Sequence, residues 1–109
     1  MHAADIPAAI QEFIDSTNSG DSDAFAAAFT SDAYLNDWGR EYTGRDGIRD
    51  WDRTDNIGVG ARFEFLGIEP GPSPDSYVVT LKVTGGGFNG TGRMTFGLRE
   101  GKIESLRIS

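Results

Sequence analysis

The chain lacks cysteine altogether and has one histidine, His2, among its 109 residues. Without thiols there is no disulfide framework, and the compartment is not constrained by redox. One histidine near the start excludes a Ser-His-Asp or Cys-His arrangement and a His-rich metal site. Basic residues are also scarce: ten Lys and Arg face 17 Asp and Glu, for a net charge of −7. The basic footprint that nucleic acid requires is therefore missing, and an anionic membrane surface is disfavoured. No apolar run approaches the roughly 18 residues of a membrane span. The stretch Met1 to Ile10 carries acid and no basic lead-in, so no signal peptide is expected and the cytoplasm is the default location. Any chemistry is left to carboxylates, Arg, Lys or Tyr.

What the chain does have is aromatic bulk. Seven Phe, three Tyr and two Trp accompany an apolar content of 38% and a charged content of 25%. That composition suits one compact soluble domain over residues 1–109, large enough for a single core.

Hydrophobic spacing orders the elements. Asp5 can cap a helix with Pro7 in its first turn, and Ile6, Ile10, Phe13, Ile14 and Thr17 recur at helical spacing before "NSG" ends the run. Asp21 caps a short second helix with Phe25, Ala28 and Phe29 on its apolar side. Thr30 to Trp38 reads as a strand and "GREYTG" as a turn. Thr43 and Asp46 resemble a capping box for a third helix with Ile48, Trp51 and Asp55 on one face. After Gly58 the period changes to two: Val59, Ala61, Phe63 and Phe65, then Tyr77, Val79, Leu81 and Val83, then Met94, Phe96 and Leu98 within Phe88 to Leu98. "PGPSPD" and "REGK" are turns, "GGG" at 85–87 breaks or bulges the sheet, and Lys102 to Ile108 closes the chain. Helices first and hairpin-linked strands after predict an α+β fold, with helices on one face of a curved antiparallel sheet.

One acid stands out. In "TSDAYLNDWG", strand alternation puts Ala33, Leu35 and Asp37 on one face and Tyr34, Asn36 and Trp38 on the other. If the small apolar pair faces the helices, Asp37 points to the interior near the open end of the sheet and is a candidate general acid or base. The alternative is a solvated Asp at a strand exit, capping the "WGRE" turn. The large apolar residues Phe13, Phe29, Trp51, Phe63, Phe65, Phe88, Met94 and Phe96 are likewise read two ways, as the domain core or as the wall of a pocket for a flat hydrophobic ligand. Trp38 is expected at a mouth or a dimer contact. The acids of "DGIRDWDRTD" interleave with Arg45, Arg49 and Arg53 as a salt-bridged solvated helix face, and make no recognisable metal loop.

The stretches "NSGDSDAFAAAFTSDAYLND", "YTGRDGIRDW" and "FNGTGRMTFGLREGKIESLRI" resemble the nuclear-transport-factor-2-like superfamily in its SnoaL-like branch, a distant relative of ketosteroid isomerase. The likeness spans nearly the whole chain. It implies a cone: a curved mixed or antiparallel sheet wrapped around three N-terminal helices, a pocket at the open end, no cofactor or metal, and frequent homodimers. Against the isomerase, the resemblance puts its general base at Asp37. Its oxyanion-hole Tyr falls on Phe13, its oxyanion-hole Asp on or beside Met94, and a pocket Phe on Trp51. The base position is kept and both oxyanion donors are lost, each such loss costing about 10²–10³ in rate. The expected function is binding of a small hydrophobic molecule in a pocket of Phe13, Trp38, Trp51, Phe63, Met94 and Phe96. Asp37 would serve there in cofactor-free isomerisation, cyclisation or hydration. The alternative is a non-catalytic ligand-binding or dimeric interaction domain.

Overall fold

A computed structural model describes residues 6–108; Asp5 and His2 lie outside them. Helix α1 (Ala8–Ser19) begins after Pro7, whose fixed φ and missing N–H suit a helix start. It ends at Gly20, whose φ of 74° lets the chain turn back while the N–H groups of Gly20 and Asp21 close the last carbonyls. Asp21 caps α2 (Ser22–Ala27) through its side chain, which accepts the Ala24 N–H at 3.1 Å. Strand β1 (Phe29–Asp37) and β2 (Arg40–Thr43) form a hairpin. Helix α3 (Gly44–Asp55) follows and ends in a 3₁₀ turn at Ile57–Val59. Strands β3 (Arg62–Pro70), β4 (Ser76–Thr84), β5 (Gly90–Arg99) and β6 (Lys102–Ile108) complete the chain.

The six strands lie in the order β2-β1-β6-β5-β4-β3. All neighbours are antiparallel except β1 and β6, which run parallel. The parallel pair arises because the last strand returns to the first one across the intervening helix and four strands. The register shifts at Phe65/Gly67, which leaves Leu66 unpaired, and again at Gly97/Leu98. Such bulges bend strands and sharpen twist, giving the curved, unclosed sheet that wraps the helices.

Phe13 holds the centre. Its ring lies 5.3 Å from Phe25, 6.2 Å from Phe29, 5.3 Å from Phe63 and 5.1 Å from Phe96, centroid to centroid. Phe13 and Phe25 of the helices, Phe29 at the start of β1, where it was expected on α2, and Phe96 are fully buried, so α1 and α2 are fastened to both halves of the sheet through one side chain. Gly58 is required by space: a Cβ there would stand 1.4 Å from the Arg53 carbonyl oxygen.

Several expectations need correction. "GREYTG" is not a simple turn, since Arg40–Thr43 pairs with β1. The turn itself is Trp38-Gly39, with φ of 53° and 93°. Positive φ at both central residues is what a two-residue type I′ hairpin requires, and Trp in the first place hides that signal. Thr43 stands at the N-cap of α3 but its side chain makes no capping bond. Val59 belongs to the 3₁₀ turn, so β3 starts three residues later than its alternation suggests. Phe88 lies outside β5 and is 59% exposed. Asp52 is not on a solvated face: it is buried with Ile48 and Trp51.

Candidate functional site

The last ladder pair of the β1–β2 hairpin is Asp37 opposite Arg40. On the other side Asp37 pairs with Ile108 of β6, and Ile108 with Met94 of β5. One row across the sheet therefore runs Asp37, Ile108, Met94, placing Met94 about 10 Å from Asp37 at the usual strand spacing. Ala33 and Leu35 are fully buried and Asp37 is 9% exposed, so the three share the inward face.

Two donors meet at one oxygen of Asp37. The Trp51 indole Nε1–H donates to Oδ2 at 2.9 Å, and Arg40 Nη2 donates to the same atom at 2.8 Å. Trp51 is brought there by α3, where Ile48 and Trp51 face the sheet. Arg40 is brought there by the tight hairpin. The same Arg40 nitrogen also reaches Asp55 Oδ2 at 3.2 Å. Burial works against the Arg40 charge, but the two carboxylates outweigh it and raise its pKa. Asp37 Oδ1 accepts no hydrogen bond from the described residues and is not occluded. Asp55 is held in the same way, its Oδ2 accepting from Arg40 and Thr54 while no bond from the described residues reaches its Oδ1, but Asp37 is the more deeply buried of the two carboxylates.

That space is a cavity of about 800 Å³. Asp37, Arg40, Thr54, Asp55 and Asn56 give it a polar section; Trp51, Val59, Ala61, Phe63, Val83 and Met94 give it apolar walls. Trp38 and Phe88, 73% and 59% exposed, also line it. Phe88 is presented by a loop that Asn89 braces. Its side-chain oxygen accepts the Gly85 N–H, and its Nδ2 donates to the carbonyls of Gly85 and Gly87. Of the residues expected at a pocket, Trp38, Trp51, Phe63 and Met94 line this cavity. Phe13 and Phe96 do not; both are wholly buried in the core.

Arg40, Asp55 and Asn56 were not singled out as site residues. Arg40 is legible only once the Trp38-Gly39 turn is recognised, because that turn makes Asp37 and Arg40 cross-strand partners. Helical spacing puts Asp55 on the Ile48 and Trp51 face but assigns it no partner. Beneath the site, Asn56 donates to Thr17 Oγ1 at 2.9 Å and to Asp52 Oδ1 at 3.1 Å, tying α3 to α1. Burial pushes the Asp52 carboxyl above its ordinary range. Hydrogen bonds from Asn56, the Ile57 N–H and Ser22, and the nearby Arg49 charge, offset part of that.

The comparisons agree with this architecture. A candidate polyketide cyclase from Sinorhizobium meliloti superposes with a TM-score of 0.87 at 25% identity, covering 100% of both chains. SalBIII, an epoxide hydrolase/cyclase-like enzyme of pyran ring formation in the polyether salinomycin, gives 0.81 at 23% identity, covering 92% of this chain and 85% of its own. RV0760c of Mycobacterium tuberculosis, in complex with estradiol-17beta-hemisuccinate, gives 0.79 at 19% identity, covering 92% of this chain and 88% of its own. No curated protein matches in sequence. The SnoaL-like domain profile matches residues 10–106, and the chain belongs to that family.

Proposed function

We propose that the cavity binds a small hydrophobic molecule and that Asp37 exchanges a proton with it, in a cofactor-free isomerisation or cyclisation. One observation carries this reading. A largely buried carboxylate that lines the cavity has one oxygen fixed by Trp51 and Arg40, while the other accepts no bond from the described residues. Fixing Oδ2 orients the group, and the free Oδ1 is left to act as base. Oδ1 would take a proton from a ligand O–H or activated C–H, the electron pair staying on that oxygen or carbon. In a cyclisation the oxygen then forms a C–O bond as an epoxide C–O bond breaks, and the new alkoxide takes the proton back from Oδ1. Atoms and protons balance within the ligand. The similarity to a candidate cyclase and to a ring-forming enzyme supports this class of reaction.

A second reading, binding without turnover, is favoured by two residues. The resemblance to the isomerase puts its oxyanion donors at Phe13 and on or beside Met94, and neither of these side chains has a hydrogen-bond donor. Phe13 moreover does not reach the cavity. The test is a panel of hydroxy-epoxides and hydrophobic ketones, followed by NMR for ring closure or α-proton exchange. Wild type should accelerate at least one substrate, and Asp37→Asn should lose about 10²-fold or more of that rate while still binding. Equal rates in both proteins would remove Asp37 from the chemistry; binding with no turnover by either would establish the second reading. The outer sheet face, with Arg62, Glu64 and Lys82 exposed, is where we place a homodimer contact. Light scattering that returns the monomer mass would remove it.

A further inference from the structure

The charges around the cavity do not balance, and the imbalance selects a ligand class. Four ionisable side chains line it: Asp37, Asp55, Arg40 and Arg93. Arg93 is already paired with Glu69 on the neighbouring part of the sheet. Asp37 and Asp55 share one guanidinium, and both bond to the same nitrogen of it. Two anions on one cation leave an excess negative charge beside the free Asp37 Oδ1. The chain's net charge of −7 adds to that field. Thr54, the next polar wall residue, already donates its hydroxyl to Asp55 Oδ2 and the Asp50 carbonyl. Asn56 likewise donates its amide to Thr17 and Asp52. Apart from the remaining donors of Arg40, the polar side chains of this section therefore offer acceptors and, in sum, an uncompensated negative charge.

We infer that the cavity takes hydrophobic molecules whose polar group is a proton donor, a protonated amine above a hydroxyl, and excludes carboxylates. This rests on the proposed reading of the cavity as a ligand site and specifies the ligand's polar end. An ammonium or hydroxyl hydrogen can bond to Oδ1 directly. A carboxylate could turn only to the remaining donors of Arg40, whose single charge Asp37 and Asp55 already share, and would sit against both of those carboxylates; like charges at contact distance in a partly desolvated site repel strongly. The aromatic faces of Trp38 and Trp51, which line the same cavity, further favour a cation.

Three matched probes decide it: 2-naphthylmethylamine, 2-naphthalenemethanol and 2-naphthoate, titrated by calorimetry at pH 7 in low salt. The amine should bind tightest and the alcohol next, with the carboxylate at least tenfold weaker than the alcohol. In Asp55→Asn, which leaves Arg40 and Asp37 as a neutral pair, the amine-to-carboxylate ratio should shrink by about tenfold. Asp50→Asn makes the same charge change on a side chain that pairs with Arg53 and does not line the cavity, and should leave the ratio unchanged. A carboxylate that binds as well as the amine, or a ratio that Asp50→Asn moves as much as Asp55→Asn, overturns the inference while the ligand site stands. Failure of all three probes to bind overturns both.

Discussion

Trp51→Phe tests the clamp on Asp37 with the least disturbance. The substitution keeps an aromatic ring on the buried face of α3 and removes the one donor that reaches Asp37 from within the core. A hydrogen bond to a charged group contributes about 1.5–3 kcal/mol. Arg40 remains at 2.8 Å, so the carboxylate keeps a partner and the loss falls in the lower part of that range. The smaller ring adds a cavity term, because Trp51 also stacks near Phe25 at 6.1 Å. The total expected loss is about 2–3 kcal/mol, measured by urea unfolding at pH 7. The control is a double-mutant cycle with Asp37→Ala, in which the shared bond appears as a coupling of about 1–2 kcal/mol. Fluorescence supplies an independent check: wild type combines one buried and one exposed Trp, and the variant should show only the red-shifted emission of Trp38. A stability change within about 0.5 kcal/mol, or an additive cycle, would refute the claim that Trp51 holds Asp37 in place.

Three further outcomes follow from the same geometry. Asp52 has a folded-state pKa raised by burial, so its protonated form favours the fold. That contribution is complete below the unfolded value of about 3.9 and is lost as pH rises through the folded value, with a slope of at most about 1.4 kcal/mol per pH unit. Asp52→Asn keeps an acceptor for Asn56 and should flatten that slope and raise stability at pH 7; parallel wild-type and variant curves from pH 4 to 8 would refute it. Phe13→Tyr puts a hydroxyl among Phe25, Phe29, Phe63 and Phe96 rather than in the cavity. It should cost about 1–3 kcal/mol without improving catalysis, and a faster, equally stable variant would contradict that placement. Phe88→Ser should leave stability within about 0.5 kcal/mol, since the ring is largely exposed, yet weaken naphthyl probe binding several-fold. Unchanged affinity would take Phe88 out of the site.

The face shared by Ala33, Leu35 and Asp37 is legible because β1 keeps period two, but the sequence alone leaves a solvated Asp37 open, since a strand's last residue can exit to water. The direction of Trp51 was legible from its helical spacing to Ile48. What joins them was not, because the bond crosses from α3 to β1 and depends on the angle at which the helix lies on the sheet. Strand β2 was missed for a local reason: "REYT" has no apolar alternation, and its turn carries Trp-Gly where Asn-Gly is the usual signal. Asp52 shows the opposite failure. It stands four residues from Ile48, which is the buried face, but charge composition argued for solvent. Periodicity was the better guide there, because Asn56, Ser22 and a backbone N–H supply the partners that let a carboxylate be buried.

The division of labour between the two rings of contacts explains why a small chain can hold an empty space at all. The four-way contact of Phe13 closes the core without using any cavity residue except Phe63. The cavity is braced instead by polar ties: Asp37 to Trp51 and Arg40, Arg40 to Asp55, and Asn56 to Thr17. Apolar packing there would have filled the space it was meant to frame. Directional bonds fix the walls at a distance and leave the volume open, and the same bonds that brace the opening also set its charge. Stability and ligand choice are thus coupled through Asp37, Arg40 and Asp55, so substitutions at these three residues that change which molecules enter should also move the unfolding midpoint, whereas changes around Phe13 should move the midpoint alone.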